Sequence, residues 1–219
     1  MILSDEAIRL WETAKALNRL AARVSPRATD LPPLMFFTDP ARTPRPWEIA
    51  GRLPSGAAVV HRGFGRPEAA DEAARLREAT RAGGVRLLIG LDLKLALSVG
   101  ADGLHLPERA LDRAAAARSE GVRLVTGAAH SAEALARAAR AGVDAVVISP
   151  VFDTRSDSGG TALGPDGVRR LAEQTALPAY ALGGIMAANA DDLTDSGVCG
   201  LCAIDGIIQA FGPETTPRT

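Results

Sequence analysis

The sequence predicts a (β/α)8 TIM barrel with one extra helix in front of it. Three observations carry that prediction. Short apolar runs alternate with helical segments eight times along the chain. The units are evenly short, and 219 residues suit a single domain of barrel type. No Gly-x-Gly-x-x-Gly opens the chain, which ranks a doubly wound open sheet below the barrel.

The elements follow in order. Residues 5–24 read as an amphipathic helix, with Ile8, Trp11, Ala14, Leu17, Ala21 and Val24 at helical spacing. That apolar face is expected to pack on the barrel or to form a homodimer contact. Residues 1–30 are assigned to this helix and a breaker-rich linker, 31–212 to the barrel, and 213–219 to a flexible tail. Strand one is read at 34–38, with a short helix at 46–52. Strand two is read at 57–62, and a helix at 67–81 starts on Pro67. Strand three at 85–89 precedes a short helix at 93–99. Strand four at 102–106 precedes a helix at 108–119, and strand five is read at 122–126.

The centre of the chain is its most informative stretch. Ser131 can cap a helix whose stripe is Ala134, Leu135, Ala138 and Ala139, and Gly142 ends it. Residues 143–148 are an apolar run, as a strand covered on both faces should be. A long Gly/Ser-rich loop, 149–164, follows; loops of that length in a compact domain are usually functional. A helix at 165–175, strand seven at 178–182, a helix at 187–196, strand eight at 200–204 and a last helix at 205–211 complete the pattern.

Composition excludes several classes. Apolar residues make up 47% of the chain, enough for a large core. The net charge is −1, so there is no basic surplus for nucleic acid. No apolar run reaches membrane-spanning length. The opening residues carry Asp5 and Glu6 before any long apolar stretch, unlike a secretory signal. With only 2 cysteines as well, a cytoplasmic location is expected.

In such a barrel the site lies at the C-terminal strand ends. That gathers Thr38, Asp39, His61, Arg62, Gly90, His105, Glu108, His130, residues 150–160, Gly183, Gly184 and Asp205 at one mouth. The turns Gly183-Gly184 and Asp205-Gly206 follow strands seven and eight, where barrels often bind phosphate through backbone N–H groups. Asp205 argues against an anion there, because like charges repel. Strands two, four and five are not all neighbours, which disfavours a three-histidine zinc site. His130 is the best single acid–base candidate, since an imidazole titrates near neutral pH. Cys199 and Cys202 match C-x-x-C, but residues three apart on a strand face opposite ways, so two buried small side chains are expected.

Several motifs fall in one order: Asp102-Gly103-Leu104-His105-Leu106, Thr126-Gly127 to His130-Ser131, Ala141-Gly142-Val143-Asp144, Pro150-Val151-Phe152 with Thr154, and Leu182-Gly183-Gly184-Ile185. Together with Thr38-Asp39 and Arg62 they resemble the thiamin phosphate synthase/TenI family over 34–211. The resemblance implies a (β/α)8 barrel of thiamin biosynthesis. Synthase members join a pyrimidine pyrophosphate to a thiazole phosphate with magnesium. TenI members isomerise a thiazole phosphate carboxylate without metal, and the histidine they use falls at His130.

The chain departs from the synthase pattern where charge is needed. Leu91 and Ala110 stand at the two magnesium-binding aspartates, and Phe64 at a pyrophosphate-binding lysine. The strand-six loop reads Thr154-Arg155-Ser156-Asp157 without its lysine, and Asp205 replaces a serine. Leucine and alanine offer a cation no oxygen. The expectation is therefore a protein that binds or isomerises a thiazole, with His130 as acid and base and no cofactor, magnesium being disfavoured. Its ligand contacts are expected at Thr38, Arg62, His105, Thr154, Ser156, Gly183, Gly184, Asp205 and Gly206, for a small thiazole or pyrimidine ligand. A non-catalytic or regulatory binding protein is one alternative. An active synthase with Asp92 and Glu108 as rearranged ligands is another.

Overall fold

A computed structural model describes residues 3–154 and 160–213. Ser156, and the expected tail from 214 onward, lie outside the described residues. Eight parallel strands close into a barrel in sequence order. They are β1 (Leu34–Phe37), β2 (Ala58–His61), β3 (Arg86–Gly90), β4 (Gly103–Leu106), β5 (Leu124–Ala129), β6 (Ala145–Ile148), β7 (Ala179–Leu182) and β8 (Gly200–Ala203). The helices are α1 (Asp5–Val24), α2 (Pro46–Ala50), α3 (Ala69–Gly83), α4 (Leu93–Ser98), α5 (Ala114–Ser119), α6 (Ala132–Ala141), α7 (Gly164–Ala172) and α8 (Asp205–Phe211). This is the (β/α)8 barrel that the alternating pattern predicts. Among the described residues no helix is long and apolar enough to cross a membrane.

Strand alternation divides the core in two. Met35, Phe37, Ala58, Val60, Leu88, Val147, Tyr180 and Cys202 fill the barrel interior. Their neighbours, such as Leu34, Phe36, Val59, Leu87 and Val146, meet the helical layer. Cys199 and Cys202 are both buried in the interior cluster, contrary to the opposite faces expected of them. Cys199 precedes β8, so strand alternation does not govern it.

Local chemistry sets the helix ends. The side chains of Ser4, Asp92 and Ser131 accept from the backbone N–H three residues on and cap α1, α4 and α6. Gly142 closes α6 in the left-handed region, at φ 75°. The expected helix at 108–119 is instead a 3-10 segment, Glu108–Arg113, bent at Ala110 before α5 begins. The expected helix at 187–196 shrinks to a 3-10 turn, Ala190–Leu193. Asn189 folds back there, accepting from Met186 N–H and donating to the Gly184 carbonyl. Such local bonds compete with a regular helix.

The face of α1 that docks differs from the expected stripe. Ala7, Leu10, Ala14 and Leu17 are buried, whereas Ile8 is 46% and Val24 88% exposed. Asn18 pins the helix by donating to the carbonyls of Ala28 and Cys199. Arg9 and Thr13 hold Asp191.

Candidate active site

The mouth of the barrel holds a cavity of about 530 Å³ between the loops after β1, β2, β6, β7 and β8. Arg42, Arg62, Ser149, Thr154, Gly183, Gly184 and Asp205 are among the residues lining it. Of the predicted contacts, Arg62, Thr154, Gly183, Gly184 and Asp205 thus meet at one space. Thr38, His105 and Gly206 are buried behind it.

The loop after β6 is tied onto the end of β7. Val151 N–H donates to the Leu182 carbonyl at 3.0 Å and Phe152 N–H to that of Gly183 at 3.0 Å. This close approach explains the paired glycines. A Cβ on Gly183 would fall 2.9 Å from Pro150 Cα, and one on Gly184 2.7 Å from Phe152 Cβ. Both also have positive φ, at 108° and 65°.

The three histidines separate. His61 is the last residue of β2, but its ring faces outward under α3, with Nε2 3.1 Å from the Ala69 carbonyl. It does not face the mouth as expected, because β2 alternation turns Val60 inward and His61 outward. His105 points into the barrel. Its Nδ1 lies 2.9 Å from Thr126 Oγ1, and its ring meets Phe37 edge-on at 5.0 Å. Burial, with the Arg62 and His130 charges nearby, pushes its pKa down to about 3. It is a neutral interior ring.

His130 stands exposed at the rim. Strand β5 runs to Ala129, further than the expected end at Thr126, and this sets His130 at the strand tip. Its Nδ1 lies 2.8 Å from the Ser149 carbonyl. A carbonyl only accepts, so Nδ1 carries the proton and Nε2 of the neutral ring keeps its lone pair. Its backbone N–H donates to Glu108, whose other oxygen pairs with Arg137 at 2.5 Å.

An arginine that sequence reading did not select completes the wall. Arg42 Nη2 lies 2.8 Å from Asp39 Oδ2, and Nη1 3.1 Å from Asp205 Oδ2. Arg62 Nη2 reaches the same Asp39 oxygen at 3.4 Å, and its Nε donates to the Thr38 carbonyl at 2.7 Å. Thr38 Oγ1 accepts from Arg62 N–H, so Thr38 orients Arg62. Burial disfavours the Asp39 charge, but hydrogen bonds and attraction from Arg42 outweigh it and hold the carboxyl below its usual range. One local signal marks Arg42. Asp39, two residues after the end of β1, accepts from Ala41 and Arg42 N–H in a turn that brings the guanidinium back over it.

Leu91 and Ala110 stand where the resemblance to the synthases puts magnesium-binding aspartates. Leu91 and Ala110 are apolar. The nearby carboxylates are engaged: Asp92 caps α4 and Glu108 pairs with Arg137. Among the described residues no group of three His, Cys, Asp or Glu could hold a metal ion. Leu91 and Ala110 themselves supply no oxygen to a divalent cation.

A closed parallel barrel with a cavity among its C-terminal loops defines a (β/α)8 TIM-barrel protein. The chain belongs to the thiamine monophosphate synthase family, whose model matches residues 52–207. A bifunctional thiamine biosynthesis protein, ThiM/ThiE, of Symbiobacterium thermophilum is 40% identical over 154 residues, 69% of this chain and 32% of its own length. The thiamine-phosphate synthase of Chloroflexus aurantiacus is 33% identical, over 64% of this chain and 65% of its own. That of Geobacillus kaustophilus is 34% identical, over 70% and 72%. The chain thus spans about a third of the first relative's length and just under two thirds of the second's. A thiamine phosphate pyrophosphorylase from Pyrococcus furiosus shares the fold, with a TM-score of 0.68, 23% identity and coverage of 89% and 91%.

Proposed function

We propose that this member of the family binds and isomerises a thiazole, with His130 as the proton carrier, and does not run magnesium-dependent synthase chemistry. Support comes from the rim. The Ser149 carbonyl fixes the tautomer of His130, and Ser149 also lines the cavity. A ring tautomerisation moves one proton from one ring atom to another, with no net redox change. The Nε2 lone pair can take that proton, and the resulting imidazolium, stabilised by the Ser149 carbonyl, can return it. The cavity is large enough for a small heterocycle.

A second reading, an active synthase, draws on relatives that are named synthases. It would have to take Asp92 from its cap and Glu108 from Arg137. Melting curves with a thiazole alcohol or its phosphate alone, and with pyrimidine pyrophosphate plus magnesium, separate the two. Stabilisation by the thiazole and its His130-dependent conversion support the proposal. Formation of thiamin phosphate would overturn it. Thiazole binding without any conversion would leave a purely binding protein.

A further inference from the structure

We infer that the end of the cavity between Gly184 and Asp205 takes an uncharged arm of the ligand, an alcohol and not a phosphate ester. The ring attached to that arm rests on the thiazole reading; the charge of the arm does not.

Two guanidinium groups reach this end of the cavity, Arg42 and Arg62. Asp205 takes one Nη of Arg42, and Asp39 takes the other Nη together with Arg62. Asp39 and Asp205 thus match the two arginines one for one. Asp153 adds a third carboxylate to the wall. Among the described residues, the wall and the network behind it set two cations against three carboxylates. A phosphate that paired with Arg42 here would displace Asp205, then sit beside Asp205 and Asp153 with no surplus cation among the described residues to offset it.

A hydroxyl meets the opposite situation. It can donate to a free lone pair of the Asp205 carboxylate and leave both ion pairs standing. Neither glycine carbonyl at this end is idle: Gly183 accepts from Phe152 N–H and Gly184 from Asn189. The Asp205 side chain is 45% exposed, so solvent screens the repulsion, and a discrimination of about tenfold is expected.

Inorganic phosphate is a probe that assumes no ring. Melting curves are taken in phosphate against chloride at matched ionic strength. The parent is expected to show no saturable rise. Asp205→Asn is expected to show one, because it releases a guanidinium N–H and removes a charge. Asp205→Ser repeats the test should the asparagine variant fold poorly, with circular dichroism as the check. A parent that saturates with phosphate and loses the response in Arg42→Gln overturns the inference. So do folded Asp205 variants that still ignore phosphate. Isothermal titration with a thiazole alcohol and its phosphate then reads the arm itself. The parent should favour the alcohol about tenfold, and Asp205→Asn should narrow that gap; a parent preferring the phosphate overturns it. If neither thiazole binds, the functional reading falls alone, and the inorganic phosphate result still decides the charge.

Discussion

The imidazole of His130, at the tip of β5, is held by the backbone carbonyl of Ser149 at the end of β6, 2.8 Å from Nδ1. That bond orients the ring without occupying Nε2. Replacing His130 by Asn removes the imidazole and leaves an amide. Thiazole conversion should then fall by roughly 100-fold or more, the usual worth of a positioned acid–base group. Affinity for the thiazole should change little, since the ring is at the rim. Comparing kcat with KM checks this; a variant that keeps its kcat removes His130 from the chemistry.

Helix α1 offers a test of packing phase. Leu10 is fully buried, and Ile8 is 46% exposed. Leu10→Ala should cost about 3 kcal/mol, as for other buried leucines. Ile8→Ala should stay within about 1 kcal/mol. Urea denaturation of the two variants reads the difference, and equal losses would show that the helix docks on another face.

That phase was only half legible in the sequence. The ends of α1, the Ser131 cap and the Gly142 stop could be read because capping chemistry is local. The buried face was read only in part: Ala14 and Leu17 belong to the expected stripe, but Ala7 and Leu10 do not, and the large exposed Ile8 and Val24 pulled the reading toward another phase. Barrel closure was legible because eight strand runs alternate with helices. The mouth was legible where glycines fix geometry, as at Gly183; His130 stands at the tip of β5 and is not among the residues lining the cavity. The mouth was hidden where a contact joins distant positions: Arg42 and Asp205 lie 163 residues apart. His61 was misplaced by a single step of strand alternation.

Magnesium should neither bind tightly nor stabilise the fold. The Asp92 carboxylate accepts from Leu95 N–H and serves the helix. Asp92→Asn preserves that cap, so stability should be nearly unchanged, while Asp92→Ala should cost about 1 kcal/mol. Titration calorimetry in the presence of pyrophosphate checks the metal. Tight magnesium binding abolished in Asp92→Asn would show that the carboxylate leaves its cap for a cation.

Acid should weaken the fold through a buried imidazole. His105 has a pKa of about 3 in the fold against 6.5 for an unperturbed imidazole. Burial is the main cause, and the Arg62 and His130 charges add to it. Because the folded-state value is depressed, the unfolded chain binds the extra proton first as pH falls. The neutral ring therefore contributes fully above about pH 6.5. Its contribution is lost progressively between pH 6.5 and 3, by at most about 5 kcal/mol if the whole window is traversed. His61, also lowered by burial, adds a slope of the same sign. Carboxylates such as Asp39, held below their usual range, lose stability in the same direction only at lower pH. His105→Gln keeps a polar partner for Thr126 Oγ1 and does not titrate. The variant should lose stability at pH 7, yet its stability should fall less steeply between pH 6.5 and 5 than the parent's. Urea midpoints across that range measure the slope, and parallel curves would mean that His105 is not the group that titrates.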